Sequence, residues 1–137
     1  EVLFEGTDVT ILALGSTVEG ACKARALLKK EGVSARVVNM RFARPLDEAL
    51  ILESVRKTKG IFTIEEHVLT GGFGSKVLEF LEARRQTQVP VWRLGLPDEF
   101  IEHGSREDQL DAFGLTPEKI AAFVLKATVA PRAVASQ

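Results

Sequence analysis

Apolar residues in this chain fall into short unbroken runs, separated by longer stretches in which they recur every third or fourth position. The run Val9–Leu14 (VTILAL) is rich in β-branched residues and bounded by Asp8 and Gly15, which predicts a strand buried on both faces. Ser16-Thr17-Val18-Glu19 then reads as a capping box with Ser16 over the Glu19 amide. The helix it opens carries Val18, Ala21, Cys22 and Leu28 on one stripe and runs to Lys30, where Glu31-Gly32 stops it. Ala35–Asn39 is a second strand, Met40–Pro45 a loop, and Asp47–Thr58 a helix turning Leu50, Ile51 and Val55 inward. Gly60–Ile64 (GIFTI) reads as a strand, Thr70–Gly74 as a glycine-rich loop, and Ser75–Arg84 as a helix. Val89–Leu94 is a last strand, and Pro90 places it at a sheet edge or bends its start. Gly95–Gly104 follows as a loop and Ser105–Phe113 as a short helix. The final helix starts with Thr116 as N-cap and Pro117 in its first turn, with Ile120, Phe123, Val124 and Ala127 on one face. Residues 128–137 are weakly patterned and read as a frayed tail beyond a domain spanning 1–127. Val2–Phe4 is one further short strand.

Strands spaced by single helices predict βαβ units, hence a mainly parallel sheet with helices on both faces. In such sheets the carboxyl ends of the strands form the functional edge, above all where the strand order reverses. The loops Gly15–Gly20, Met40–Pro45 and Glu65–Gly74 should therefore gather on one rim.

Composition narrows the class without naming a function. The 137 residues are 45% hydrophobic and 27% charged, as in an ordinary globular domain. Lys and Arg number 18 against 19 Asp and Glu, a formal net charge of −1, which disfavours a polyanion surface as the main partner. The single cysteine, Cys22, cannot pair within the chain and suits a reducing, cytoplasmic setting. No stretch approaches the roughly 20 apolar residues of a membrane helix.

The rim carries the candidate chemistry. Gly71-Gly72-Phe73-Gly74-Ser75 lies between a strand and a helix, where free amides and the positive helix end could hold an anion. It is neither a dinucleotide fingerprint nor a P-loop. The other reading is that these glycines allow a tight turn and a close helix-to-sheet contact. Glu65-Glu66-His67 could do acid–base work or ligate a metal. Consecutive residues on an extended chain point to alternate sides, however, and His103 is the only other histidine, so no metal site is expected. His67 is expected instead to organise the loop or a domain contact. Arg41, Arg44 and Asp47 around Pro45 read as an ion-pair network pinning a loop, with phosphate binding as the alternative. Cys22 reads as a small core residue. Arg56, Lys57 and Lys59 form a basic helix end that suits the dipole. No motif groups a nucleophilic triad.

Four strings carry a resemblance: Asp8–Ser16 (DVTILALGS), Val37–Asp47 (VVNMRFARPLD), Ile64–Ser75 (IEEHVLTGGFGS) and Leu94–Leu115 (LGLPDEFIEHGSREDQLDAFGL). In this order they resemble the C-terminal domain of the transketolase-like, thiamine-diphosphate-dependent enzymes. The last string, with Gly95-Leu96-Pro97-Asp98, Phe100-Ile101 and Gly104, is most similar to the 1-deoxy-D-xylulose-5-phosphate synthase family. Transketolases and 2-oxo-acid dehydrogenase beta subunits share the EEH…GGFG loop but match that tail less well.

The resemblance implies a three-layer α/β/α fold with a five-stranded, mostly parallel sheet of order 1-3-2-4-5, its first strand antiparallel. It implies a parent transferase that condenses pyruvate with glyceraldehyde 3-phosphate, releases carbon dioxide and feeds isoprenoid, thiamine and pyridoxal synthesis. The family's cofactors are thiamine diphosphate and magnesium, bound through a Gly-Asp-Gly … Asn motif of the first domain, while a glutamate of the second activates the aminopyrimidine. This chain holds no Gly-Asp-Gly, so no catalytic, cofactor-binding or metal residue carries over. The chain is expected to be the third domain of a larger homodimeric enzyme, not catalytic alone. Its partners are then the N-terminal and central domains, met through Glu65, Glu66, His67, Gly71, Gly72, Phe73 and Gly74. Neither nucleic acid nor membrane is expected as a partner. The alternative is a C-terminal docking domain of a transketolase or of a 2-oxo-acid dehydrogenase beta subunit.

Overall fold

Five strands form one sheet in the order β1-β3-β2-β4-β5. The computed structural model describes residues 1–42, 45–68, 71–96, 111 and 114–135. The strands are β1 (Val2–Phe4), β2 (Val9–Ala13), β3 (Ala35–Asn39), β4 (Ile61–Val68) and β5 (Val91–Leu96). The helices among the described residues are α1 (Val18–Lys30), α2 (Glu48–Lys57), α3 (Phe73–Ala83) and α4 (Pro117–Ala135). β1 runs antiparallel to β3, with Val2 opposite Val38, and every other pairing is parallel. The expected order and the antiparallel first strand both hold.

β2 explains the layering. Its five residues are all buried, because both faces of a central parallel strand are covered. Val9, Ile11 and Ala13 face one core with Ala21, Ala24 and Leu28 of α1 and Ile120 and Val124 of α4. Leu12 faces the other, with Ile51 and Val55 of α2 and Phe73, Val77 and Leu81 of α3. The period of two thus divides the helices into α1/α4 above and α2/α3 below. On the α1/α4 side Phe62 stacks on Trp92 with ring centroids 4.7 Å apart and meets Phe123 edge-on at 6.0 Å.

Several boundaries differ from those read in the sequence. Ser16 caps nothing: it lies in a 3-10 turn (Gly15–Thr17), and α1 begins at Val18 without a side-chain cap. Thr17, inside the predicted capping box, turns its hydroxyl to Leu14 O at 2.9 Å and Ile64 O at 3.1 Å. Asp47 is the N-cap of α2, accepting the Leu50 N–H at 3.1 Å. β4 extends to Val68, so Glu65, Glu66 and His67 belong to the strand. α3 starts at Phe73, two residues earlier than its periodicity suggests, and β5 lies at the edge just after Pro90. Thr116 does cap α4, accepting the Lys119 N–H at 3.3 Å. α4 continues beyond Ala127, where its apolar stripe ends, to Ala135. The predicted helix Ser105–Phe113 falls outside the described residues except at Asp111, which is helical.

Candidate functional site

The strand order reverses between β2 and β4: β2 leads to β3 on one side, and β4 leads to β5 on the other. The turn after β2 is fastened to β4 there. Leu14 donates its N–H to Ile64 O at 3.1 Å, and the buried Thr17 hydroxyl reaches the same carbonyl. Gly15–Thr17 and the end of β4 consequently meet on the carboxyl rim, as the topology requires.

Alternation along β4 decides what its end offers. Ile61, Thr63 and Glu65 point to the α2/α3 layer, while Phe62 and Ile64 point away from it. Glu65 is buried completely. Its Oε1 accepts the Phe73 N–H at 2.8 Å and its Oε2 accepts the Gly74 N–H at 2.6 Å. These are first-turn amides of α3, with no partner inside the helix. Gly72, the N-cap, has no side chain to offer them, so a carboxylate from the neighbouring strand does the capping. Both bonds are charge-assisted, and the carboxylate lies on the positive end of the helix. The two amides are thus engaged by the chain's own anion.

The glycines serve the geometry around that cap. A Cβ on Gly74 would lie 2.6 Å from Thr63 Oγ1 and 3.1 Å from the Arg93 side chain. Only glycine lets the α3 backbone approach β4 and β5 this closely. Gly71 holds φ at +72°, which turns the chain into the helix. Glu66 is half-buried, and the His67 side chain lies outside what the structure describes. Among the described residues, no group of three His, Cys, Asp or Glu gathers in a form suited to a metal ion.

Of the network predicted around Pro45, the structure describes Arg41 and Asp47. Arg41 pairs with Glu1 at 3.1 Å, Asp47 is occupied with its capping bond, and Arg44 lies outside the described residues. The ion pairs assemble elsewhere. Arg36, on β3, is fully buried, with its guanidinium 3.2 Å from Glu53 and 3.7 Å from Glu5. Lys57, read as a bland helix end, completes this group at 2.9 Å from Glu53. The Lys57 hydrogen bond, and after it the Arg36 guanidinium at ion-pair distance, holds the Glu53 carboxyl below its ordinary value. Burial pushes the Cys22 thiol up, as its place beside the α1/α4 core implies.

Sequence reasoning missed Arg36, Thr17 and Phe42. The only signal for Arg36 was a charge inside an otherwise apolar strand. Phe42 had none, since an aromatic in a loop is ordinary. It is 65% exposed and lines a rim cleft of about 630 Å³ together with Glu1, Met40, Arg41, Leu46 and Asp47.

Comparison with known proteins supplies family context. Residues 1–120 match the family profile described as "Transketolase, C-terminal domain". A 1-deoxy-D-xylulose-5-phosphate synthase of Pelotomaculum thermopropionicum is 48% identical over 126 residues, covering 92% of this chain and 20% of that protein. The enzyme of the same name from Heliobacterium modesticaldum is 46% identical over 136 residues, or 99% of this chain and 21% of its own length. The chain therefore spans about one fifth of these relatives. Among solved structures, the inactive β4 tetramer of a split-gene transketolase superposes with a TM-score of 0.85 at 42% identity, covering 93% of this chain and 41% of that one. A Pichia stipitis transketolase mutant at 21% identity and a TM-score of 0.64, covering 92% of this chain and 17% of that one, shares the fold. Among the described residues, no helix is long and apolar enough to cross a membrane.

Proposed function

The chain belongs to the transketolase C-terminal domain family, and from that membership we propose that it serves as the C-terminal, third domain of a 1-deoxy-D-xylulose-5-phosphate synthase. The full-length enzyme would be a cytoplasmic, thiamine-diphosphate- and magnesium-dependent homodimer. It would condense pyruvate with glyceraldehyde 3-phosphate, lose carbon dioxide, and supply isoprenoid precursors, thiamine and pyridoxal. Within it, residues 1–127 contribute packing and assembly, with 128–137 as a tail. The catalytic groups belong to the N-terminal and central domains. Identity of 46–48% over nine tenths or more of the chain, to enzymes of which it is one fifth, supports this assignment.

The observation that carries the assembly role is the Glu65 cap. A diphosphate does not fit the α3 N-terminus, because the Phe73 and Gly74 amides already bond Glu65 at 2.8 and 2.6 Å and its carboxylate would repel a second anion. The cap fastens the first turn of α3 to β4 at the switch point. Of the expected contact residues, Glu66, Gly71 and Gly72 are accessible to a neighbouring domain, while the buried Glu65, Phe73 and Gly74 set the shape beneath them.

Two experiments test the reading. Calorimetric titration of this chain with thiamine diphosphate and magnesium is expected to give no binding heat, and micromolar affinity would overturn the assignment of the cofactor site to other domains. Gly72 has φ −82°, which any residue adopts, so Gly72→Val should destabilise this chain only by the modest cost of a poorer N-cap residue while impairing activity and dimer assembly of the full polypeptide more strongly. Equal loss in both would make the glycine a purely structural requirement. The 42% identity to a split-gene transketolase favours a second reading, the C-terminal docking domain of a transketolase or of a related 2-oxo-acid dehydrogenase beta subunit. Assaying the full polypeptide for deoxyxylulose phosphate formation against ketol transfer between sugars separates the two.

A further inference from the structure

We propose that the rim cleft at Phe42 seats the stretch of polypeptide leading into Glu1 in the longer protein, an extended segment that sets an apolar side chain on Phe42. This rests on the reading of the chain as the last domain of a longer polypeptide, and it adds a second contact, remote in sequence from the Glu65–Gly74 turn.

Direction of entry is the first argument. The relatives are about five times longer than this chain, and the family is by its description a C-terminal domain, so the remaining polypeptide approaches through Glu1. β1 is an edge strand antiparallel to β3, with Val2 opposite Val38. A chain entering β1 therefore comes in where β3 leaves, on the carboxyl rim. Glu1 is already laid into that ladder: its N donates to Asn39 O at 2.9 Å, and its O accepts the Asn39 N–H at 2.8 Å. A peptide N–H makes the first of these bonds equally well. An extended strand advances about 3.4 Å per residue, so two or three residues before Glu1 run roughly 7–10 Å past Asn39, alongside Arg41 and Phe42.

The cleft's chemistry is the second argument. Phe42 is 65% exposed, against a floor of Met40 at 4%. Arg41 stands at φ +63°, a costly conformation for a side chain with a Cβ. Its N–H bonds Asn39 Oδ1 at 3.0 Å and its guanidinium bonds Glu1. The charges around the cleft are matched among the described residues: Glu1 pairs with Arg41 at 3.1 Å, Glu48 pairs with Arg84 at 3.4 Å, and Asp47 accepts the Leu50 N–H. An extended segment that lays one apolar side chain on the exposed Phe42 ring is complementary to it.

The test uses the full polypeptide encoded by the gene. Hydrogen exchange read by mass spectrometry should find the residues just before Glu1 protected. Phe42→Ala should speed their exchange at least about tenfold, while Phe42→Leu keeps most of the protection. Peptides containing Ile11 and Val37 should be unmoved in both variants, which separates loss of the seat from loss of the fold. Free-rate exchange of that segment in the unaltered protein would overturn the proposal. So would indifference to Phe42→Ala, or protection that disappears on dilution and thereby marks a second copy as the occupant. Assembly and activity of Gly72→Val report on the proposed function separately. If that variant is silent while the segment responds to Phe42, the assembly role of the glycine turn fails alone; the reverse result removes only the seat.

Discussion

Replacing Glu65 by glutamine keeps the size of a buried side chain and changes only what it offers two amides. The carboxylate accepts from Phe73 N–H at 2.8 Å and Gly74 N–H at 2.6 Å. A carboxamide oxygen can serve one of them, and its NH2 then faces the other, donor against donor. A buried unsatisfied donor costs about 1–3 kcal/mol. Loss of the negative charge at the helix N-terminus adds about 0.3–1 kcal/mol, or more where the site is dry. Easier desolvation of the neutral side chain offsets part of this. A net loss of about 2–3 kcal/mol is expected, which at roughly 4 °C per kcal/mol for a domain of this length lowers the melting temperature by about 8–12 °C. Urea unfolding followed by circular dichroism should show a lower midpoint with an unchanged slope, because the exposed area is the same. Glu65→Asp, one methylene short, should fall in the same range by failing to reach both amides. A Glu65→Gln midpoint equivalent to less than about 0.5 kcal/mol of lost stability would refute the reasoning, since that is the size of an ordinary surface change.

Three further outcomes follow from other contacts. Gly74→Ala drives a Cβ to 2.6 Å from Thr63 Oγ1 and should destabilise by about 1–3 kcal/mol in urea titration. Because that hydroxyl is buried without a hydrogen-bond partner, adding Thr63→Ala should recover part of the loss in a double-mutant cycle. Glu53, held below its ordinary value of 4.5 first by Lys57 and then by Arg36, binds protons more weakly folded than unfolded. Its contribution is therefore present above about pH 4.5 and lost as pH falls through the lowered value, so Glu53→Gln should flatten the acid limb of a stability–pH profile. Thr116→Ala removes the oxygen that accepts the Lys119 N–H and should cost about 1 kcal/mol in thermal unfolding, as cap losses typically do.

Local signals were reliable where they depended on period and punctuation. The apolar run of β2, the stripe of α1 and the Thr116-Pro117 start of α4 needed nothing beyond neighbouring residues. The strand order was legible only through the resemblance, because spacing alone leaves several right-handed arrangements open. The errors share one cause. Ser16 looked like a cap, yet the hydroxyl that matters is that of Thr17, which satisfies the carbonyl just after β2 and one on β4. Glu65 read as part of a rim loop meeting other domains, with acid–base work as one option, yet its partners are amides of α3. Each reading judged a polar group by its neighbours in sequence, whereas burial made it find partners across the fold.

The sequence by itself determined the class of architecture, the placing of most elements and the location of the interesting rim, because hydrophobic period and glycine or proline punctuation act over a few residues. Tertiary structure alone decided what the charged groups do. Arg36 is buried because β3 lies beneath α2, and only that packing brings Glu53 and Glu5 to it. The anion at the glycine turn is Glu65 because alternation along β4 points that carboxylate at a helix beginning eight residues later. Electrostatic partnership depends on distance in space and on the exclusion of water, and neither is defined until the layers close.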